Sequence, residues 1–350
     1  MTETRKNTAK QKALPLSDWP CADREAWQAA QAGGGILDEG GAASHLREIS
    51  RQDLTRRYAY FLSFAAQQGA LDADGPAAAA VTQDNILAYL RYLESRVSSV
   101  TLAQSVQKVG WVASFLAPEQ DWVWLLRIAR RLDLRAKPRD RRKDVVEIKD
   151  LYRLGMRLMK QAETSASSGS LARAVLYRDG LLIALMSADP LRLANMVALE
   201  IGRTLIKAGT SWSFEIPAEE TKERRLHLAV LPDWSAICID RYIETYRPLF
   251  RNSDATARVW LSQLGLPLSM TSVYSLVCTR TSEAFGRPIN PHLIRSCLAT
   301  SVAIHHGAQI GLAMTVLRHQ NPRETERHYI RAEMIDAVRT YQELLLGDQE

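Results

Sequence analysis

Hydrophobic residues in this chain recur with a helical period almost throughout, and the period changes only once, between Thr204 and Val230. From Ser50, the residues Leu54, Tyr58, Phe61, Leu62 and Ala65 fall on one face of a helix that Gly69 ends. Thr82 is placed to cap a second helix, with Ile86, Leu87, Leu90 and Leu93 on its apolar face. A third begins near Val100, carries Leu102, Val106, Val109, Val112 and Phe115, and stops before Pro118. A fourth runs through Trp124, Leu125, Ile128 and Leu132, where Trp122 and Trp124 read as core aromatics rather than base-stacking platforms. Residues 145 to 187 are again helical, ending in the apolar run Leu181 to Met186 and the breaker pair Asp189-Pro190. Then Thr204 to Ile206, Trp212 to Ile216 and Leu226 to Val230 alternate or run apolar between turn-forming residues, the pattern of a small antiparallel sheet. Helical patterns resume near Trp234, with breaks at Pro267, Pro288 and Pro291. The expected fold is mainly α, with one three-stranded antiparallel insert in the second half.

A chain of 350 residues and 39.2 kDa exceeds one minimal domain. We divide it into an Ala-, Gly- and Gln-rich N-terminal arm (1–45), a helical domain (46–134), a basic linker (135–146) and a larger second domain (147–350). No apolar run approaches the roughly 20 residues a membrane helix needs. The polar, basic stretch Met1 to Lys12 is followed by no apolar core, so no secretory signal is read. Cys21, Cys238, Cys278 and Cys297 lie far apart with no C-x-x-C pair, which suits reduced thiols and a cytoplasmic location. His305 and His306 have no third ligand at metal spacing, so no metal site is assigned.

The net charge of +6 is unevenly spread. Between Arg127 and Lys143 stand nine basic residues (Arg127, Arg130, Arg131, Arg135, Lys137, Arg139, Arg141, Arg142, Lys143) against Asp133 and Asp140. The rest of the chain is close to neutral. One reading is a solvated linker. The other is a strap along a phosphate backbone, where each cation releases condensed counterions; on it Arg130, Arg131, Arg135, Lys137, Arg139, Arg141, Arg142 and Lys143 are the candidate DNA-binding residues.

Polar residues of the second domain form an ordered series: Arg192 just after the Asp-Pro break, Lys222 in the turn between two strands, His292 and Arg295 one helical turn apart, His319, and Tyr329 ten residues later. This order resembles the tyrosine recombinase (phage integrase) family, whose signature is Arg, hairpin Lys, H-x-x-R, His or Trp, then a nucleophilic Tyr. The stretch His292-Leu-Ile-Arg-Ser-Cys-Leu-Ala-Thr300 is similar to the family's H-x-L-R-H-x-F-A-T segment, Leu317-Arg-His319 to its L-G-H, and Asn321 to Tyr329 to its approach to the nucleophile. The resemblance spans about 145 to 335 and implies a helical SAM-like core-binding domain upstream. Departures are Pro190 where Gly is usual, Asn195 for an acidic residue, Arg318 for Gly and Ser296 for the second His. They fit a mobile-element integrase better than a chromosome-resolution recombinase.

The residue types suit phosphoryl transfer. The transition state concentrates charge on non-bridging oxygens, and planar bidentate donors such as Arg192 and Arg295 supply the compensating field. His292 can share a proton with the phosphate or take the tyrosine proton, and His319 can donate to a phosphate oxygen. Tyr329 is a poor nucleophile until its proton is removed or its anion stabilised. Lys222, in a chain that uses Arg far more than Lys, can release a proton to a leaving 5′ oxygen where a guanidinium cannot. The resemblance implies a site-specific recombinase acting on double-stranded DNA, clamped between the two domains, through a 3′-phosphotyrosine. It implies no metal, ATP or other cofactor, a tetrameric synapse, and room for accessory recombination proteins. The apolar face of Met334, Ile335, Val338, Tyr341 and Leu344 to Leu346 fits docking on a neighbour or packing on its own domain. A type IB topoisomerase, a non-catalytic DNA-binding relative and a helical regulator with no DNA role remain open as alternatives.

Overall fold

The computed structural model describes residues 12–35, 40–138, 144–165, 169–222 and 224–305. The chain divides into two compact units, Met1–Asp140 and Arg141–Glu350.

The first unit contains α1 (Cys21–Gln31), α2 (Glu48–Gln67), α3 (Gln83–Glu94), α4 (Ser99–Leu116) and α5 (Val123–Arg135). Thr82 accepts a hydrogen bond from the Asn85 amide, and Ser98 one from the Thr101 amide, satisfying donors that a helix start leaves open. Tyr58, Phe61, Leu62, Ile86, Val106, Val109 and Leu125 meet in one core. In the described part of residues 1–45, α1 and its flanks pack into this core. Trp19, Trp27 and Ala43 are buried in the same core, and the Trp27 indole donates to Thr55 Oγ1 at 3.0 Å. Two tryptophans supply enough apolar surface to dock an otherwise Ala- and Gln-rich segment. Asp23 is buried there, accepting from the Tyr58 hydroxyl at 2.8 Å and from the amide of Ala78 at 2.6 Å. Burial pushes its carboxyl pKa up.

The second unit is built on α6 (Ile148–Thr164) packed along α7 (Ser170–Ala188). Gly155 and Gly180 face one another at the crossing, so that the two backbones approach directly; a Cβ built on Gly155 would lie 2.6 Å from the Gly180 carbonyl oxygen. Helix α7 ends at Asp189-Pro190, and the short α8 (Leu193–Ala198) follows. Strands β1 (Leu205–Ala208), β2 (Ser211–Ile216) and β3 (His227–Val230) form an antiparallel sheet in the order β1-β2-β3, with Phe214 opposite Leu205 and Ala229. Then come α9 (Asp233–Arg241), a π-helical turn over Tyr242–Tyr246, α10 (Met270–Phe285) and α11 (Pro291–His305). Phe214, Tyr242, Trp260 and the run Leu181 to Leu185 are fully buried in the second core. Inside it, Asp179 is gripped by two guanidinium groups: Arg178 on Oδ1 at 2.6 Å and Arg280 on Oδ2 at 2.9 Å. Among the described residues no helix is long and apolar enough to cross a membrane.

Candidate DNA-cleavage site

The break between α7 and α8 positions Arg192. Helix α7 stops because Pro190 has no amide to continue it, and the Leu191 amide turns back onto the Asp189 carbonyl at 2.7 Å. Arg192 follows as the N-cap of α8, in extended backbone and half-buried.

Helix α11 starts where Asn290 precedes Pro291. The Asn290 carboxamide oxygen accepts from the Leu293 amide at 2.9 Å, and proline in the first turn costs no hydrogen bond. His292 is exposed in that turn, Leu293, Ile294 and Cys297 are buried, and Arg295 is half-buried. The Arg295 guanidinium donates to the carbonyl oxygen of Pro190, so the H-x-x-R helix is tied to the turn that carries Arg192. Burial pushes the Cys297 thiol up to about 11. At the far end of the described part of α11, Ser301 Oγ accepts from the Ile148 amide at 3.0 Å, which fixes the helix to the start of α6.

Lys222 is exposed in the connection from β2 to β3. Three contacts hold that connection. The Asn195 amide group donates to the Glu220 carbonyl at 3.1 Å, and Arg203 bridges Glu200 and Glu220. The two carboxylates hold the Arg203 guanidinium more firmly protonated than usual. The buried Thr221 hydroxyl bridges the backbone of Ala218 and Arg225.

The fourth tie is one that spacing alone does not suggest. His227, the first residue of β3, is buried with Nε2 2.7 Å from Oδ2 of the buried Asp189. An ionised carboxylate only accepts, so toward ionised Asp189 the imidazole is the donor. Asp189 reads in sequence as half of a breaker pair. The available signal is His227 itself, an imidazole at an inward position of an apolar strand, which requires a buried partner.

Of the six candidate catalytic residues, the structure thus places Arg192, Lys222, His292 and Arg295 on segments joined by hydrogen bonds around Asp189 to Asn195. His319 and Tyr329 lie outside the described residues. So do Arg139, Arg141, Arg142 and Lys143 of the basic segment, whereas Arg130, Arg131, Arg135 and Lys137 are exposed. Arg127, Arg130, Arg131 and Arg135 follow helical spacing along the solvent side of α5, opposite the buried Leu125 and Ala129, and form no ion pair among the described residues.

Mainly helical with one small three-stranded antiparallel sheet, the chain has an architecture consistent with the tyrosine recombinase fold. In particular, the solved structure of the XerH site-specific recombinase bound to difH substrate, a pre-cleavage complex, matches 83% of this chain and 79% of its own, with a TM-score of 0.55 and 13% identity. A post-cleavage complex of XerH with palindromic difH substrate covers 96% of this chain and 100% of its own at 12% identity and a TM-score of 0.48, and XerA recombinase covers 82% and 89% at 14% identity and 0.38. No protein-family model matches the sequence, and no curated protein matches it. The likeness is one of fold.

Proposed function

We propose that the protein is a site-specific DNA recombinase that cuts and rejoins double-stranded DNA through a phosphotyrosine. The observation that carries this reading is the tie between Arg295 and the Pro190 carbonyl, which sets the two arginines of the motif beside one turn. Two guanidinium groups on neighbouring segments can grip the non-bridging oxygens of one phosphate and favour its transition state over its ground state. His292 stands one helical turn before Arg295, in the first turn of α11, where the helix dipole favours an anion.

In the proposed reaction the Tyr329 oxygen attacks the scissile phosphorus and its proton passes to a neighbouring base, His292 by residue type. The bond from phosphorus to the 5′ oxygen breaks as the new bond from phosphorus to tyrosine forms. Lys222 gives its proton to the leaving 5′ oxygen. Reversal, with a 5′ hydroxyl of the partner strand as nucleophile, rejoins the DNA; one phosphodiester is exchanged for another and no ATP is consumed. The exposed arginines of α5 bind the duplex backbone. Four protomers exchange strands in the synapse, on DNA at the boundaries of a mobile element, and the soluble chain acts in the cytoplasm.

The test uses duplexes that the protein enriches from a random-sequence pool, each then nicked near the centre of the recognised sequence so that the cleaved end diffuses away. The wild-type protein traps a covalent adduct that Tyr329→Phe does not form. Absence of adduct on every enriched duplex refutes the enzyme and leaves a DNA-binding protein; relaxation of supercoiled plasmid lacking the enriched sequence shows a topoisomerase instead.

A further inference from the structure

From the buried contact between the α7 to α8 break and the edge of the sheet, we infer that Asp189 and His227 form a positioning pair, holding the Arg192 turn in register with the Lys222 connection. The inference rests on the recombinase reading for the purpose of the pair, while the pair itself is a feature of the fold.

Asp189 stands three residues before Arg192, and His227 five residues after Lys222. Each belongs to one of the two segments that would have to meet at one phosphate. Neither segment is a long regular element: α8 has 6 residues, β3 has 4, and the connection between Ile216 and His227 has no strand or α-helix of its own among the described residues. Short elements hold a side chain poorly unless a second layer of contacts fixes the backbone beneath it. The 2.7 Å contact between Nε2 and Oδ2 is largely buried on both sides, which leaves water little access to either partner. It is also singly directed, because the carboxylate accepts and the imidazole donates. The Asp189 main chain is held at the same time by the Leu191 amide on its carbonyl, and the next carbonyl, of Pro190, receives Arg295. The Asp189 to His227 bond therefore fixes the base of the turn that Arg192 crowns and Arg295 grips. The Asn195 to Glu220 bond lies on the other side of Arg192 and joins α8 to the β2–β3 connection. The two cross-links thus lie one on each side of the arginine in the chain, and each reaches the stretch from Glu220 to His227 that contains Lys222.

Neither group touches the phosphate in the proposed reaction; both act through Arg192 and Lys222. A positional error of about 1 Å at a reacting group is enough to cost ~10²-fold in rate.

The experiment compares the full-length wild-type chain with His227→Leu and His227→Gln. Gln places a side-chain N–H near the position of imidazole Nε2 and retains a donor to Asp189; Leu retains volume and loses the donor. Amide hydrogen exchange is followed in peptides covering 186–196, 217–230 and, as a reference, 151–162 of α6. His227→Leu is expected to exchange about tenfold or more faster in the first two segments and at the wild-type rate in the reference, with His227→Gln close to wild type in all three. Adduct formation on the enriched nicked duplexes then falls by about 10²-fold in His227→Leu and recovers to within about fivefold of wild type in His227→Gln, with DNA affinity unchanged in both. Unchanged exchange in 186–196 for His227→Leu, or equal loss in Leu and Gln variants, overturns the proposal. Faster exchange in the reference as well shows a general structural role and also overturns it. If the wild-type protein forms no adduct, the recombinase reading fails, and the exchange comparison still decides whether the pair holds the turn.

Discussion

Replacing Gly155 by alanine tests how the second unit holds its first two helices, and with them the start of the site. A Cβ built on Gly155 lies 2.6 Å from the Gly180 carbonyl oxygen, 2.7 Å from the Ala184 nitrogen and 2.8 Å from the Ala184 Cβ. Two of these three are main-chain atoms, so no side-chain rotation relieves the clash. The helices must part by about 0.8 Å before the first contact reaches the ordinary van der Waals range starting at 3.4 Å. Overpacking of this kind costs about 1–3 kcal/mol, and the rigid neighbours put Gly155→Ala near the upper end. Alanine recovers up to ~1 kcal/mol through its better helix propensity. The expected net destabilisation is about 2 kcal/mol, or about 4–8 °C in the melting temperature of a unit this size. Gly169 is the control: it sits before α7 with negative φ, a Cβ added there meets nothing within 4 Å, and Gly169→Ala is expected to shift stability by less than ~0.5 kcal/mol. Calorimetry on both variants, with amide exchange assigning each transition to its unit, gives the comparison. Because α7 leads directly into Asp189 and Arg192, Gly155→Ala also slows adduct formation more than Gly169→Ala does. Equal melting temperatures for the two variants refute the direct helix contact.

Three further outcomes follow from particular side chains. Asp179→Ala leaves the Arg178 and Arg280 guanidinium groups without their shared anion in the core, and should destabilise the second unit by about 3–5 kcal/mol in denaturant unfolding; a loss under ~1 kcal/mol contradicts the buried network. Cys297, buried and pushed up to about 11, carries almost no thiolate at neutral pH, so iodoacetamide should label exposed Cys21 in the native protein and spare Cys297, whose labelling rises as the pH climbs toward that value; equal labelling of the two near neutral pH refutes this. Arg130→Ala with Arg131→Ala removes two exposed cations of α5, and should lower the slope of log affinity against log salt for duplex DNA by up to about 0.9 for each phosphate that is no longer neutralised; an unchanged slope places the DNA elsewhere.

Local features are legible in the sequence because their physics is local. Thr82 caps its helix with its own side chain, and the change of period between Thr204 and Val230 marks the strands to within one or two residues. The docking of the N-terminal segment is not legible, because Ala, Gly and Gln dominate its composition while its place in the core depends on Trp19 and Trp27 finding partners 28 or more residues away. The candidate site is read from the sequence as an order of residue types, which says nothing of how its segments are held together. Arg295 reaches a main-chain carbonyl 105 residues earlier, and since every residue carries such an oxygen, no residue type announces that partner. Asp189 reads as half of a helix stop, yet its carboxylate holds His227. Asn195 reads as a missing acid, yet its amide donates to the Glu220 carbonyl, which a carboxylate could not do. In each case the partner lies on another element, and only folding reveals it.

In the proposed reaction Tyr329 becomes bonded to DNA. Trapping the wild-type protein on an enriched nicked duplex, digesting with nuclease and trypsin, and weighing the peptides by mass spectrometry tests it directly. The peptide His328–Arg331 should carry a nucleotide through its 3′ phosphate, with the bond on the Tyr329 oxygen. A nucleotide on any other residue, or none on this peptide while DNA is being cleaved, refutes Tyr329 as the nucleophile.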